Sequence, residues 1–301
     1  IFLALEDMER RIAKNLINDL IRGHYLDNNA IPEVIVLEVA KIIKKYNELF
    51  VLLNDLYSGK ERKHFFDWII GIEACEIDML LTPENVEDSV IEAMYNMTKT
   101  RIKFSGDTLK TREKNIQLYI AIHKSIVKSD NTIISYHLFN LYFPDWLQAD
   151  ANLIKLVATN FSAVYKTIQG HLKHPYQRKL FLSVSEEVVT FKILHELILQ
   201  EEENISTLLT HPDDLLASAK ILINKKYKFI RKKISQSSLR AIIYIFVTKM
   251  TLALVLELPY EVYILQEINY IPITINIVFP PLLMFLVALT IIPPSKENTA
   301  K

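Results

Sequence analysis

Glycine is scarce in this chain, which has five glycines in 301 residues, against an average usage of about 7%. Glycine readily supplies the positive φ angle that tight hairpin turns need, so a fold rich in β-hairpins is disfavoured. Leu, Ile, Lys and Glu are abundant instead, and this composition favours helices joined by short loops. We therefore predict an all-α fold.

Cysteine is nearly absent as well, since Cys75 is the only one. A disulfide within this sequence is excluded, and a thiolate zinc site would need ligands from another chain. The scattered glycines also exclude a phosphate-binding P-loop and a GxGxxG dinucleotide motif. We predict no metal and no cofactor, and a reducing, cytosolic environment for most of the chain.

The charge is balanced overall but unevenly distributed. Residues 220–301 contain eleven Lys or Arg and four Glu, a net of +7, so residues 1–219 hold 24 basic and 31 acidic residues, a net of −7. The sequence begins at Ile1 and stops in a polar stretch at Lys301, and we expect further sequence on both sides.

Apolar residues recur every three or four positions over residues 1–236, which is the spacing of amphipathic helices. No fixed repeat period is evident, so we favour a multi-helix cytosolic bundle and keep an irregular α-solenoid as the alternative. An internal break is predicted near 101–108. The predicted helices are 2–22, 32–57, 61–81, 84–100, 109–129, 131–142, 145–169, 175–203 and 212–236.

Helix start signals accompany this spacing. Ser58–Glu61 and Ser183–Glu186 fit the capping box, in which the Ser hydroxyl and the Glu carboxylate satisfy unpaired backbone donors. Pro32, Pro144 and Pro212 each precede a carboxylate, where the dipole of a starting helix favours negative charge.

Two apolar stretches of about 20 residues follow, at 239–258 and 273–292. This length crosses a hydrocarbon core of about 30 Å. We therefore predict a two-helix transmembrane hairpin over residues 237–294, behind a helical cytosolic region at 1–236 and before a cytosolic continuation at 295–301. A buried helix pair of a soluble protein is the alternative.

Basic residues predict the orientation of the hairpin. They precede the first span and follow the second, whereas the connection 259–272 has none. The positive-inside rule then places both ends in the cytoplasm and the connection outside. The basic residues before the first span are Lys225, Lys226, Lys228, Arg231, Lys232 and Lys233.

The same basic run has two interpretations. It serves as a topology determinant only, or it also binds anionic lipid headgroups, at about 1 kcal/mol per basic residue near the surface. Nucleic acid is not an expected partner, because the run lies next to a span and residues 1–219 are acidic.

Polar residues inside the predicted spans form the candidate site. Lys249 lies near the centre of the first span, about 13 Å from its inner edge, and a lysine there is costly unless it faces protein or water. Pro280 and Pro281 remove two helix donors from the second span and predict a kink or break. We predict an intramembrane polar cluster of Lys249, Glu257 and Asn276, which serves transport or only packing of the hairpin with its own second span or another subunit.

Candidate chemistry elsewhere is weak. His195-Glu196 begins like a zincin motif, but position 199 is Leu where the second His is needed. His171 and His174 are expected in a surface loop. The four carboxylates around Cys75 are expected on a solvated helix face rather than in catalysis; they are Asp67, Glu73, Glu76 and Asp78.

The segments Tyr244–Glu261, Glu267–Pro272 and Phe279–Pro281 resemble a family of uncharacterised bacterial integral membrane proteins from reduced-genome lineages. The resemblance covers about residues 239–301. It implies an integral protein of a bacterial inner membrane that continues past Lys301. It implies no activity and no catalytic residues, because that family has none assigned.

These observations favour a non-enzymatic, membrane-anchored helical scaffold or regulatory protein that acts at the cytoplasmic face. Its expected partners are a bilayer with anionic headgroups and a second copy of the chain or another membrane subunit. A transporter or channel component built around the Lys249 cluster is the alternative, and a membrane-bound enzyme comes third.

Overall fold

The fold is all-α, as the composition predicts. The computed structural model describes residues 2–28, 31–83, 85–102, 110–201, 205–266 and 270–290, and these ranges contain helices and no strand. The chain divides into two compact units, Ile1–Leu199 and Gln200–Lys301.

Eight helices belong to the first unit, with a short 3-10 turn at Trp146–Gln148 before the seventh. Within the described residues their bounds are α1 Phe2–Arg22, α2 Glu33–Leu56, α3 Gly59–Leu81, α4 Asn85–Arg101, α5 Thr111–Ile126, α6 Asn131–Tyr142, α7 Ala151–Leu172 and α8 Gln177–Gln200.

The first unit is a bundle whose helices pack around three apolar clusters. The largest cluster joins α2, α3, α5, α6 and α7 around fully buried aromatic rings such as Phe65, Phe139 and Phe161. A second cluster joins α4, α5 and α8, and a third joins α1, α2 and α3. Because α2 packs directly on α7, far along the chain, the packing is that of a bundle and not of a solenoid, in which each unit contacts only its neighbours.

Some predicted start signals do not begin helices. The helix predicted from 145 starts at Ala151 instead, because the Asp150 carboxylate caps it by accepting from the Leu153 backbone N–H. Ser183 lies inside α8, so the second capping box is wrong. Ser58 does precede α3, but its side chain makes no capping hydrogen bond. The sequence predicts an internal break near 101–108. α4 ends at Arg101, and residues 103–108 lie outside the described residues.

The second unit has a short helix, α9 Ile205–Thr210, which the sequence analysis missed, and then a long one. α10 runs from Pro212 to Leu252 without a break, so no structural boundary lies at 236/237. The helix continues through a π-helical turn at Ala253–Glu257, the short α11 Leu258–Tyr260 and a second π-helical turn at Glu261–Leu265. α12, Tyr270–Thr290, packs against α10.

The contact between α3 and α6 depends on a glycine. A Cβ added to Gly71 in α3 would lie 2.6 Å from the Cγ2 methyl of Thr132 in the first turn of α6, which is shorter than a van der Waals contact. Gly170 in α7 has no atom within 4 Å of the equivalent position. Of these two helical glycines, Gly71 is the one that packing requires.

Gly71→Ala is expected to lower the free energy of unfolding by about 1–3 kcal/mol, because the new methyl overpacks the interface between α3 and α6. Gly170→Ala is the control and should raise it by up to about 1 kcal/mol through helix propensity. Urea unfolding followed by tryptophan fluorescence measures both, since Trp68 and Trp146, the two tryptophans of the chain, lie in the first unit. Equal stabilisation by both substitutions would contradict the close approach.

Candidate functional site

The hairpin of α10 and α12 contains a polar pair in apolar surroundings. The Asn276 side-chain Nδ2 donates to the Glu257 Oε1 carboxylate oxygen over 2.7 Å. Glu257 lies at the end of the first π-helical turn, and Asn276 lies near the middle of α12. Two members of the predicted cluster are therefore brought together across the hairpin.

A proline explains the irregular backbone beside Glu257. In the π-helical turn the Leu258 N–H donates to the Ala253 carbonyl, five residues back. Pro259 follows directly, and its ring would clash with the carbonyl four residues back in a regular α-helix. The wider π-helical turn relieves that clash, and such turns are frequent at functional sites.

Lys249 is not part of this pair. Its side chain is half-buried, and among the described residues its ammonium group makes no hydrogen bond or ion pair with Glu257 or Asn276. The predicted three-residue cluster is thus a two-residue pair, with Lys249 two helical turns away along the first span.

Pro280 and Pro281 do not break the second span. α12 is helical through both residues and continues to Thr290. The carbonyls of Asn276 and Ile277 lose their usual donors, but the helix on either side keeps its own hydrogen bonds. A single residue, Asn276, therefore combines a carbonyl that has lost its helical donor with a side chain bound to Glu257.

The basic residues that precede the first span are displayed on α10. The basic side chains between Lys225 and Lys233 are exposed, and the sequence from 215 to 256 contains no acidic residue. No carboxylate therefore lies beside this positive charge in the sequence.

The apolar part of the second unit is exposed too. Each of the two helices has a most apolar window of 18 residues. In the helix Pro212–Ile264, 6% of that window is buried, and in Tyr270–Thr290, 11% is buried. Both helices are long and apolar enough to cross a membrane. The core helix of a soluble protein would be mostly buried, so the alternative of a buried soluble pair does not fit these two helices.

A buried ionic network lies in the first unit. Lys45 of α2 donates to the Glu76 carboxylate of α3 and, over 3.0 Å, to the Trp146 carbonyl. The Tyr46 hydroxyl donates to the other Glu76 oxygen over 2.7 Å and accepts from the Trp146 indole N–H over 2.9 Å. Lys45 and Glu76 are 8% and 4% exposed.

This network links three segments of the bundle and satisfies its own polar groups. The Lys45 ammonium also lies 4.9 Å from the centroid of the Trp146 ring, a cation–π distance. Burial lowers the pKa of Lys45 although Glu76 opposes this, and burial followed by the Glu76 charge raises the pKa of Tyr46. The chemistry is that of a structural clamp.

The expected solvated face around Cys75 is wrong for two of its carboxylates. Glu76 is in the network, and Glu73, one helical turn before it, is half-buried in a cavity of about 700 Å³ beside α1 and α6. Burial, followed by the charge of Glu76, raises the pKa of Glu73 from 4.5 to about 7. Burial likewise raises the pKa of the Cys75 thiol to about 11, so the thiol is a poor nucleophile at neutral pH.

The histidines of the rejected motifs also have structural partners. His195 Nε2 lies 2.9 Å from Glu87 and joins α8 to α4. His171 is in the last turn of α7, not in a surface loop, with its Nε2 2.9 Å from the Tyr142 hydroxyl. The described residues hold no group of three or more His, Cys, Asp or Glu side chains suited to a metal ion.

Sequence reasoning missed the Lys45–Glu76 pair because its members are 31 residues apart. A charged residue at an apolar helix position is the only local signal, and Lys45 has it, since Ile42, Ile43 and Tyr46 surround it in the sequence. The partner of such a residue is set by tertiary packing alone.

Comparison of the chain with protein-family models, curated proteins and solved structures finds no match.

Glu76→Gln is expected to lower the free energy of unfolding by about 3–5 kcal/mol, because the Lys45 ammonium stays buried without its carboxylate. The double variant Lys45→Met/Glu76→Gln should be clearly more stable than the sum of the single effects. Glu38→Gln is the control: it removes an exposed pair with Lys41 and should cost under about 1 kcal/mol. Additive losses in the double variant, measured by urea unfolding, would show that the pair is not coupled.

Glu73→Gln is expected to stabilise the chain above about pH 7 and to have little effect near pH 4.5. With a folded-state pKa raised to about 7, the folded chain binds more protons than the unfolded chain over this interval. Stability therefore falls as the pH rises through it, and Gln removes that fall, which is on the order of 1 kcal/mol after solvent screening. Unfolding curves from pH 4.5 to 8 measure the difference, with the exposed Asp67→Asn as the control. A difference that does not change with pH would contradict the raised pKa.

Proposed function

We propose that this chain is an integral membrane protein whose hairpin of α10 and α12 anchors a helical binding module at the cytoplasmic face. One observation carries the membrane part of the proposal: two packed apolar helices expose their large hydrophobic side chains outward. Removing one such side chain from water is favourable by about 1.5–3 kcal/mol. A bilayer covers such surfaces, and because both segments are helical, most of their backbone groups are satisfied internally, as lipid requires.

The charge distribution supports the orientation. The exposed basic run of α10 lies at the end of the hairpin where α12 ends, and the described residues of the connection from Pro259 to Gln266 contain no Lys or Arg. The proposal places the basic run in the cytoplasm among anionic headgroups and the connection on the far side. α10 is about 61 Å long at 1.5 Å per residue, and its part before residue 239, about 40 Å, extends beyond the proposed span.

The first unit supports a scaffold or regulatory role. Its buried polar groups, such as Lys45 and Glu76, are used to hold helices together. Its 700 Å³ cavity is lined by apolar residues of α1 and α3, and Ile70 at its wall is 54% exposed. A surface of this kind suits the insertion of an apolar side chain from a protein partner.

Transport is the second candidate, and the Glu257–Asn276 pair favours it, because polar side chains inside a membrane often mark a substrate path. The uninterrupted α12 does not have the broken helix typical of such sites. We therefore assign the pair to packing of the hairpin or to assembly with a second copy of the chain or another membrane subunit.

Cysteine accessibility tests the topology. Cys75→Ser removes the native thiol, and Lys232→Cys or Tyr263→Cys then adds one thiol in the full chain. We expect a membrane-impermeant maleimide to label the Tyr263→Cys variant in intact cells and the Lys232→Cys variant only after permeabilisation. Labelling of Lys232→Cys in intact cells would contradict the orientation, and extraction of the chain by alkaline carbonate would contradict membrane insertion.

Replacing the hairpin separates the two functions. A chain in which residues 239–290 are exchanged for an unrelated two-helix hairpin should keep the crosslinked partners of the first unit if the hairpin only anchors. If the hairpin transports, a solute flux measured in vesicles with the native chain should disappear in the exchanged chain. The scaffold proposal would be overturned if the native chain showed a solute flux and the exchanged chain lost both that flux and all partners of the first unit.

A further inference from the structure

The two helices of the hairpin do not fill the space between them at one end. A groove of about 380 Å³ lies there between α10 and α12, within the second unit. Small residues open it: Ser235 and Ser238 on α10 and Ala288 on α12 line its inner wall. Small side chains at a helix interface normally let the backbones approach closely, but here space remains.

The groove is polar at one end and apolar at the other. Arg231, a member of the exposed basic run of α10, marks the polar end, and Ser235 and Ser238 follow along the same face. Ile242 and Phe285 mark the apolar end. The distance from Arg231 to Ile242 is about 16 Å along the helix axis.

The charge at the polar end calls for an anion. Neither residues 215–252 of α10 nor α12 contain an acidic residue, so these segments offer no carboxylate to Arg231 in the groove. A guanidinium group with hydroxyl groups nearby is a common binding arrangement for phosphate, because both can donate hydrogen bonds to its oxygens. The apolar walls beyond it match a hydrocarbon chain.

We propose that this groove binds one anionic glycerophospholipid, with its phosphate at Arg231, Ser235 and Ser238 and one acyl chain along Ile242 and Phe285. The inference rests on the proposed membrane location of the hairpin and deepens it. It goes beyond the general attraction between basic residues and anionic headgroups, because it assigns a defined site to one lipid molecule. The lipid completes the packing that the small side chains leave open.

Native mass spectrometry of the full chain tests this site. The chain is reconstituted in nanodiscs of equimolar phosphatidylglycerol and phosphatidylcholine, and the lipids that remain bound after release are counted. The native chain is expected to retain phosphatidylglycerol in preference to phosphatidylcholine. Arg231→Gln should reduce that preference about tenfold or more, because it removes a direct charge-assisted hydrogen bond to the phosphate as well as a surface charge.

Ser238→Leu addresses the acyl chain separately, because it fills the groove without changing charge. It should reduce retention of both lipids, and Ala288→Leu should do the same from the opposite wall, so misfolding of one filling variant leaves the other as a test. Arg231→Gln and Ser238→Leu each have a matched control at a position that does not line the groove. Lys232→Gln removes the same charge as Arg231→Gln, and Ser237→Leu adds the same side chain as Ser238→Leu.

The site is overturned if each variant and its control have equal effects, since retention then follows total charge or general packing. It is also overturned if the native chain retains neither lipid, or if filling the groove leaves retention unchanged because another segment occupies it. These results would leave the membrane proposal intact. Failure of that proposal is distinct, since it appears as extraction of the native chain by alkaline carbonate.

Discussion

Removal of apolar surface from water is the constraint on which the second unit depends. α10 and α12 pack against each other, yet side chains such as Leu254, Val255 and Leu283 remain half or more exposed. Two helices alone cannot bury apolar residues that point in all directions. In water this surface would drive aggregation, whereas in a bilayer it is covered by acyl chains at no cost. The exposed basic run and the single polar pair then fall where charge and hydrogen bonding are needed.

Both units contain a carboxylate in apolar surroundings, and the two carboxylates have different sets of hydrogen-bond partners. The first unit surrounds Glu76 with a lysine and a tyrosine hydroxyl, so its charge is paired and its lone pairs are used. The hairpin gives Glu257 one amide donor from Asn276. An ion in a protein core needs a complete set of partners. An amide and a carboxyl group near a membrane can hold two helices together with a single hydrogen bond, worth up to about 2 kcal/mol.

Much of this architecture could be predicted from sequence, and the failures have physical causes. The bounds of α6 were predicted to the residue, because periodic apolar residues and a capping Asp130 coincide there. Local signals failed at Pro144, where a 3-10 turn intervenes before the better cap at Asp150. Local signals also failed at 236/237, because a helix can continue from a polar stretch into an apolar one without ending. The Glu257–Asn276 contact could be anticipated from depth along two antiparallel helices, whereas the position of Lys249 could not.

α10 passes from the charged segment into the apolar span as a single helix, and this sets a strict requirement on its length. In a flexible linker an inserted residue changes little. In α10, one residue added between Lys233 and Leu239 would turn every later side chain by about 100° and advance it by 1.5 Å. Arg231 would turn out of the groove, whereas Glu257 and Asn276, which both follow the insertion, would keep their contact. Substitutions in this stretch alter one side chain each, but a change in its length by one residue alters the orientation of the whole charged segment relative to the hairpin.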